Sequence, residues 1–176
     1  AHEIATSLGT LSAGVFSQAA MHTPVTVTED AISFLNKVGA DCVVELGGGS
    51  TIGLGKAIAL RTGLPQIAVP TTYAGSEMTS ILGQTENGVK TTQKKPVIQP
   101  GTVIYDVNLT LTLPPALTAT SGLNAMAHAV EALYAQDRNP IISLVAEEGI
   151  RAFAESLPAV IAAPNDKSAR TKAQYG

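Results

Sequence analysis

Two stretches carry residue types and spacings that can do chemistry. The first is Gly47-Gly48-Gly49-Ser50, which ends a short apolar run and opens a helical pattern. Glycines there let the backbone take positive φ and approach a ligand with no Cβ in the way. Ser50 stands at the expected N-cap, so its hydroxyl and the free N–H groups of the first turn point the same way. An anion placed there meets the positive end of the helix dipole, and a diphosphate suits it. A tight strand-to-helix turn with no ligand explains the same glycines. The run is not G-x-G-x-x-G, and it narrowly misses a P-loop because Gly55-Lys56 is followed by Ala57.

The second stretch is residues 122–136, where Asn124, His128 and Glu131 fall at i, i+4 and i+7. They make one polar stripe on a helix whose other positions, Leu123, Met126, Ala127, Val130, Leu133 and Tyr134, call for burial. A lone histidine on such a helix serves equally as a satisfied core residue. Three polar groups in line point to a site. Residues 70–77, PTTYAGSE, form a hydroxyl-rich loop between the two stretches, and Lys90 stands just past a turn from which a long cation reaches back. A surface turn and a solvated lysine are the plain alternatives for these two.

The elements that must hold these groups follow from pattern. Residues 42–46 and 66–69 are apolar runs flanking the glycine turn and its helix, which makes one βαβ unit. Residues 14–16 read as a short strand. Thr23-Pro24 then opens a helix with an N-cap and a first-turn proline. Val27, Ala31, Phe34, Leu35 and Val38 share one face of it, and Gly39 closes it. Strands and helices alternating at this pace predict a parallel sheet covered on both faces, with ligands at the carboxyl ends of the strands. Residues 81–86, Asn87-Gly88 and residues 89–93 read as a hairpin with a type I′ turn. Residues 103–106 are a last strand. After Leu113-Pro114-Pro115 the pattern is all-helical. It includes a helix through Ile142, Val145, Gly149, Phe153 and Leu157 with Glu147, Glu148 and Arg151 facing solvent.

Composition bounds the rest. Hydrophobic residues make up 45% and charged residues 14% of 176 residues, enough for a core and unlike a disordered chain. A net charge of −3 supplies no basic field for nucleic acid. The single cysteine, Cys42, has no partner for an internal disulfide and suits a reducing compartment. No apolar run reaches the ~20 residues of a membrane span and no signal peptide is evident, so the cytoplasm is expected. The first residues read as the tail of a helix closed by Gly9, and residues 170–176 as a helix interrupted partway. A fragment of a longer protein, its first strand missing, is the expectation.

In order and spacing, ELGGGSTIGLGKAIAL, AVPTTYAGSEMT, VIYDVNLTLTLP and SGLNAMAHAVEALYA resemble the iron-containing alcohol dehydrogenase superfamily. Within it they are most similar to the maleylacetate reductases of bacterial aromatic degradation. The resemblance implies a dehydroquinate synthase-like architecture: an α/β dinucleotide-binding domain with a parallel sheet over residues 1–114, then the start of an all-α catalytic domain over 115–176, with the active site in the cleft between them. It implies that Gly48, Gly49 and Ser50 hold the pyrophosphate of NADH or NADPH. Thr71, Thr72 and Ser76 would line the path toward the nicotinamide, and Lys90 would contact the cofactor.

In metal-dependent members, an aspartate and a histidine four residues on bind the metal. Here those positions are Asn124 and His128, and an amide is a poor ligand for an ion that prefers carboxylate and imidazole. No metal is therefore expected. The implied reaction is reduction of the carbon–carbon double bond of maleylacetate, or a chlorinated maleylacetate, to a 3-oxoadipate. His128 would be catalytic, with Asn124 orienting it or the substrate, in a homodimer when full length. A metal-dependent alcohol or polyol dehydrogenase, and a nucleotide-binding fragment without turnover, are the competing readings.

Overall fold

Two helices precede the first strand: α1 (His2–Leu8) and α2 (Val25–Val38). Residues 14–16, expected as a strand, lie outside any strand; Gly14 instead packs against the Phe34 ring. Thr23 is not the cap of α2. It is buried at φ 47, and Pro24 occupies the N-cap. Gly39 closes α2 in the left-handed conformation, as its position predicted.

The computed structural model describes residues 1–176, and the βαβ unit forms as read: β1 (Val43–Gly47), α3 (Gly49–Thr62) and β2 (Gln66–Pro70). The strands run parallel with Val43 opposite Gln66 and Gly47 opposite Pro70, so both carboxyl ends finish in register. The hairpin forms too, as β3 (Ile81–Glu86) and β4 (Val89–Lys94), with Asn87 and Gly88 both at positive φ. The last strand, β5 (Thr102–Val103), is shorter than expected and adds parallel to β2, completing the order β1-β2-β5. It stops early because Asp106 turns aside to accept the N–H of Asn108 and cap a 3-10 turn over Val107–Thr110.

Ala31 and Leu35 of α2 pack with Leu54 and Ile58 of α3 over Val43, and Ala57 packs with Leu82 and Ile98. Coverage of the sheet on both faces is not found in this chain: Val44, which points away from the Glu45 side, is 45% exposed.

The helical part has α4 (Pro115–Tyr134), α5 (Pro140–Ala162) and α6 (Lys167–Tyr175). The first of these starts at Pro115, because proline at N1 needs no N–H partner. Asn139 and Asp166 cap the other two through their side-chain oxygens. Phe153, Leu157, Val160, Ala169 and Ala173 form its core together with Tyr73. Leu123, Val130 and Tyr134, whose spacing asked for burial, are exposed here. Arg151 lies at the surface, paired with Glu148 and Glu155, as expected of that helix face.

The chain forms two compact units, Ala1–Pro70 with Ser76–Ile104, and Thr71–Gly75 with Tyr105–Gly176. The cut falls after Ile104 where the sequence placed it after 114. Residues 71–75 go with the helices because buried Tyr73 sets its ring edge-on to Phe153 at 6.4 Å.

Candidate functional site

In the first unit the glycine turn delivers a helix N-terminus. The N-cap is Gly48, not Ser50; Ser50 lies inside the first turn of α3. Glycine is an accepted N-cap, and here the N–H groups of Thr51 and Ile52 both turn back to the Gly48 carbonyl. The amides of Gly49 and Ser50 are thereby left at the helix opening. A Cβ at Gly47 would strike Thr51, whereas one at Gly49 would meet nothing within 4 Å. The open position is the one an anion needs. Lys90 projects from β4, exposed, with its Cε against Gly83.

Behind that turn lies a group that sequence reasoning missed. Lys56 of α3 is 0% exposed, and its ammonium donates to the carbonyl and hydroxyl of Ser76, to Thr79 Oγ1 at 2.9 Å and to the Ile81 carbonyl at 3.1 Å. Ser76, a predicted cofactor-lining residue, is held from the helix side by this contact. Glu45 on β1 is 1% exposed, neither carboxyl oxygen has a hydrogen-bond partner, and Gly55 makes the room for it. Burial pushes the Glu45 carboxyl up to about 8 and the Lys56 ammonium down to about 8, each opposed by the other's charge. Lys56 has oxygens to solvate its charge and Glu45 has none, so the carboxyl is the group that gives up its charge at neutral pH. The signal in the sequence was a lysine inside the apolar run Ile52–Ala59.

A linkage effect follows. A carboxyl whose folded pKa is raised stabilises the fold fully below its ordinary 4.5, and that contribution is lost as pH rises through about 8. Lys56, displaced in the opposite direction, acts above pH 8, leaving the window from 5 to 8 to Glu45. Denaturation curves should show stability falling across pH 5–8 at up to ~1.4 kcal/mol per pH unit, a slope that Glu45→Gln removes. A variant with the parent's slope would show that Glu45 is ionised in the fold.

In the second unit the stripe on α4 is assembled as the spacing implied. Asn124 Nδ2 lies 3.3 Å from His128 Nε2, and His128 Nδ1 lies 3.5 Å from Glu131 Oε2. Asn124 Nδ2 also donates to the Ala74 carbonyl at 3.4 Å, tying the stripe to the loop of Thr71 and Thr72. The Ala74 carbonyl only accepts, which fixes Nδ2 as donor. His128 Nε2 is then the acceptor, and the ring proton sits on Nδ1 facing Glu131. All three side chains are exposed, so the contact with Glu131 orients the ring and adds little stability.

Sequence reasoning gave no hint of what anchors this loop. Tyr73 N–H donates to Ser121 Oγ at 3.4 Å, and the Tyr73 hydroxyl donates to Thr110 Oγ1 at 3.3 Å. Arg170, fully buried, donates to the Tyr73 hydroxyl at 3.4 Å, to the Leu113 carbonyl at 3.0 Å and to the Pro164 carbonyl at 2.6 Å.

With this geometry in hand, comparison with known proteins is specific. The family model for iron-containing alcohol dehydrogenase matches residues 1–107, and that for the C-terminal part of the Fe-containing alcohol dehydrogenase family matches 118–176. A maleylacetate reductase of Rhizobium sp. (strain MTP-10005) is 65% identical over 176 residues, covering 100% of this chain and 50% of that protein. One from Sphingobium indicum is 53% identical with the same coverage. The crystal structure of the Rhizobium enzyme superposes with a TM-score of 0.96 over 99% of this chain and 50% of that one. Sulfoacetaldehyde reductase from Bifidobacterium kashiwanohense in complex with NAD+ gives 0.86 at 28% identity, covering 91% of this chain and 48% of that one. The chain thus spans about half the length of the relatives it matches.

The iron in that family description tests the donor set. No group of three His, Cys, Asp or Glu side chains that could hold a metal ion occurs in this chain. Asn124 and His128 offer one amide and one imidazole, and the amide hydrogens are already turned toward Ala74 and His128. These residues do not by themselves fit an iron site. The family's name nonetheless removes any general support for a metal-free enzyme, so that expectation rests on the Asn124 position alone.

Proposed function

The chain belongs to the iron-containing alcohol dehydrogenase family, and on that premise we propose that it is part of an NAD(P)H-dependent maleylacetate reductase that works without a metal. The observation that carries this reading is the Asn124–His128 pair. The stripe carries an amide and an imidazole in contact with each other, next to the loop of Thr71 and Thr72.

A nicotinamide, when bound, would supply the hydride for the alkene carbon β to the ketone of maleylacetate or of its chlorinated form, and a proton drawn from solvent would add to the neighbouring carbon to give a 3-oxoadipate. The chain's residues do the rest. The amides of Gly49 and Ser50 bind the diphosphate, with Gly48 holding the turn. Thr71, Thr72 and Ser76 line the cofactor, and Lys90 contacts it. Charge builds on the ketone oxygen as the hydride adds, and that oxygen needs a donor. His128 becomes that donor once it takes up a proton at Nε2; alternatively the resulting cation holds a substrate carboxylate. Asn124 turns the ring into place. A homodimer in the cytoplasm belongs to the same reading; no helix is long and apolar enough to cross a membrane.

The test uses a full-length protein, meaning one of the relatives' length that contains this chain. Loss of NADH or NADPH absorbance with maleylacetate should proceed at full rate after exhaustive chelation, and added iron should not raise it. Turnover that dies on chelation and returns with iron favours the metal-dependent alcohol dehydrogenase reading. The absence of turnover with maleylacetate under either condition rejects the proposed substrate.

A further inference from the structure

We infer that Lys56 is a positioning residue for the cofactor, clamping Ser76 to the same helix whose N-terminus receives the diphosphate; this rests on the reading of Ser76 given above. Lys56 lies on α3 two turns from Gly49. Its three N–H groups are shared among four acceptors, all in the segment between Ser76 and Ile81, two carbonyls and two hydroxyls. That segment leaves β2 by way of a loop and a single 3-10 turn, Ser76–Met78, before β3 begins. Within it the Thr79 N–H and hydroxyl both donate to the Ser76 carbonyl, and the Lys95 N–H donates to the Ser80 carbonyl. None of these bonds reaches α3, so the ammonium is what ties the segment to that helix.

Burying a cation is costly and offers no general advantage over an apolar side chain. Four acceptors converging on one ammonium therefore point to geometry as what the lysine provides. The same helix is seated closely on β1 at Gly55, where a Cβ would overlap the Glu45 carboxyl. The segment and the glycine turn are thus set by one rigid body, α3, so that the Ser76 hydroxyl and the Gly49 amide keep a fixed separation.

The experiment compares Lys56→Met, Thr79→Val and Gly49→Asp in the full-length protein. It reads NAD(P)H affinity by fluorescence titration, kcat at saturating cofactor, and amide exchange in residues 76–81. Lys56→Met should weaken cofactor binding about tenfold and speed exchange in 76–81, while kcat at saturation stays within about twofold. Thr79→Val, which removes one acceptor of Lys56 together with a donor to the Ser76 carbonyl, should move affinity and exchange in the same direction by about threefold. A purely structural lysine would instead lower active protein with KM unchanged. Should Lys56→Met fail to fold, Thr79→Val decides, and unchanged affinity there overturns the inference. If Gly49→Asp weakens binding but a folded Lys56→Met does not, the inference alone fails. If neither weakens it, the cofactor reading fails and takes the inference with it.

Discussion

In the full-length protein, Gly49→Asp should weaken NADH and NADPH binding about 100-fold while the fold melts no earlier than the parent. The two halves of that result have one cause. Gly49 is the first residue of α3, and a Cβ there meets nothing within 4 Å. A side chain therefore enters without steric cost. A carboxylate in the first turn sits in the favourable end of the helix dipole and adds about 0.5 kcal/mol to the helix. The field that welcomes aspartate is the field proposed to hold the diphosphate, and two anions cannot share it. Gly49→Ala separates charge from size: it should bind cofactor within a few-fold of the parent. Gly47→Ala fails differently, because its Cβ would strike Thr51 and the turn itself would shift. If Gly49→Asp binds cofactor as the parent does, the N-terminus of α3 is not the phosphate site.

How much of this was legible in the sequence depends on how local the cause is. The β1–α3–β2 unit was readable because glycines punctuate it and its strands are short apolar runs. Asn87-Gly88 fixed the hairpin because both positions need positive φ. The cap of α3 was misplaced by two residues because glycine and serine both serve as N-caps, and only the bonds to the Gly48 carbonyl decide between them.

Asn124 and His128 were readable because helical spacing alone brings i and i+4 together. Their tautomer was not, since it depends on the Ala74 carbonyl fifty positions away in sequence. The bond from Arg170 to Tyr73 spans 97 positions, and nothing near either residue marks it. Lys56 is intermediate. Its place in an apolar run is a sign of burial that went unread, and its acceptors lie in a segment whose course the pattern could not give.

His128→Ala in the full-length protein should lower kcat for maleylacetate by about 100- to 1,000-fold, with cofactor affinity unchanged within twofold. The ring is exposed and carries no core packing, so its loss removes chemistry and leaves the fold. Its position is set from both sides, by Asn124 at Nε2 and by Glu131 at Nδ1. Replacing Asn124 with aspartate inverts the first of these. A carboxylate cannot donate to the Ala74 carbonyl or to an unprotonated Nε2, so it loosens the loop and draws a proton onto the ring. Asn124→Asp should therefore reduce turnover less than His128→Ala and shift its pH profile, whereas the alanine variant lowers the whole profile. If the imidazole grips a substrate carboxylate instead of the enolate oxygen, the loss in His128→Ala moves from kcat to KM. Full turnover at unchanged KM in that variant would remove His128 from the reaction altogether.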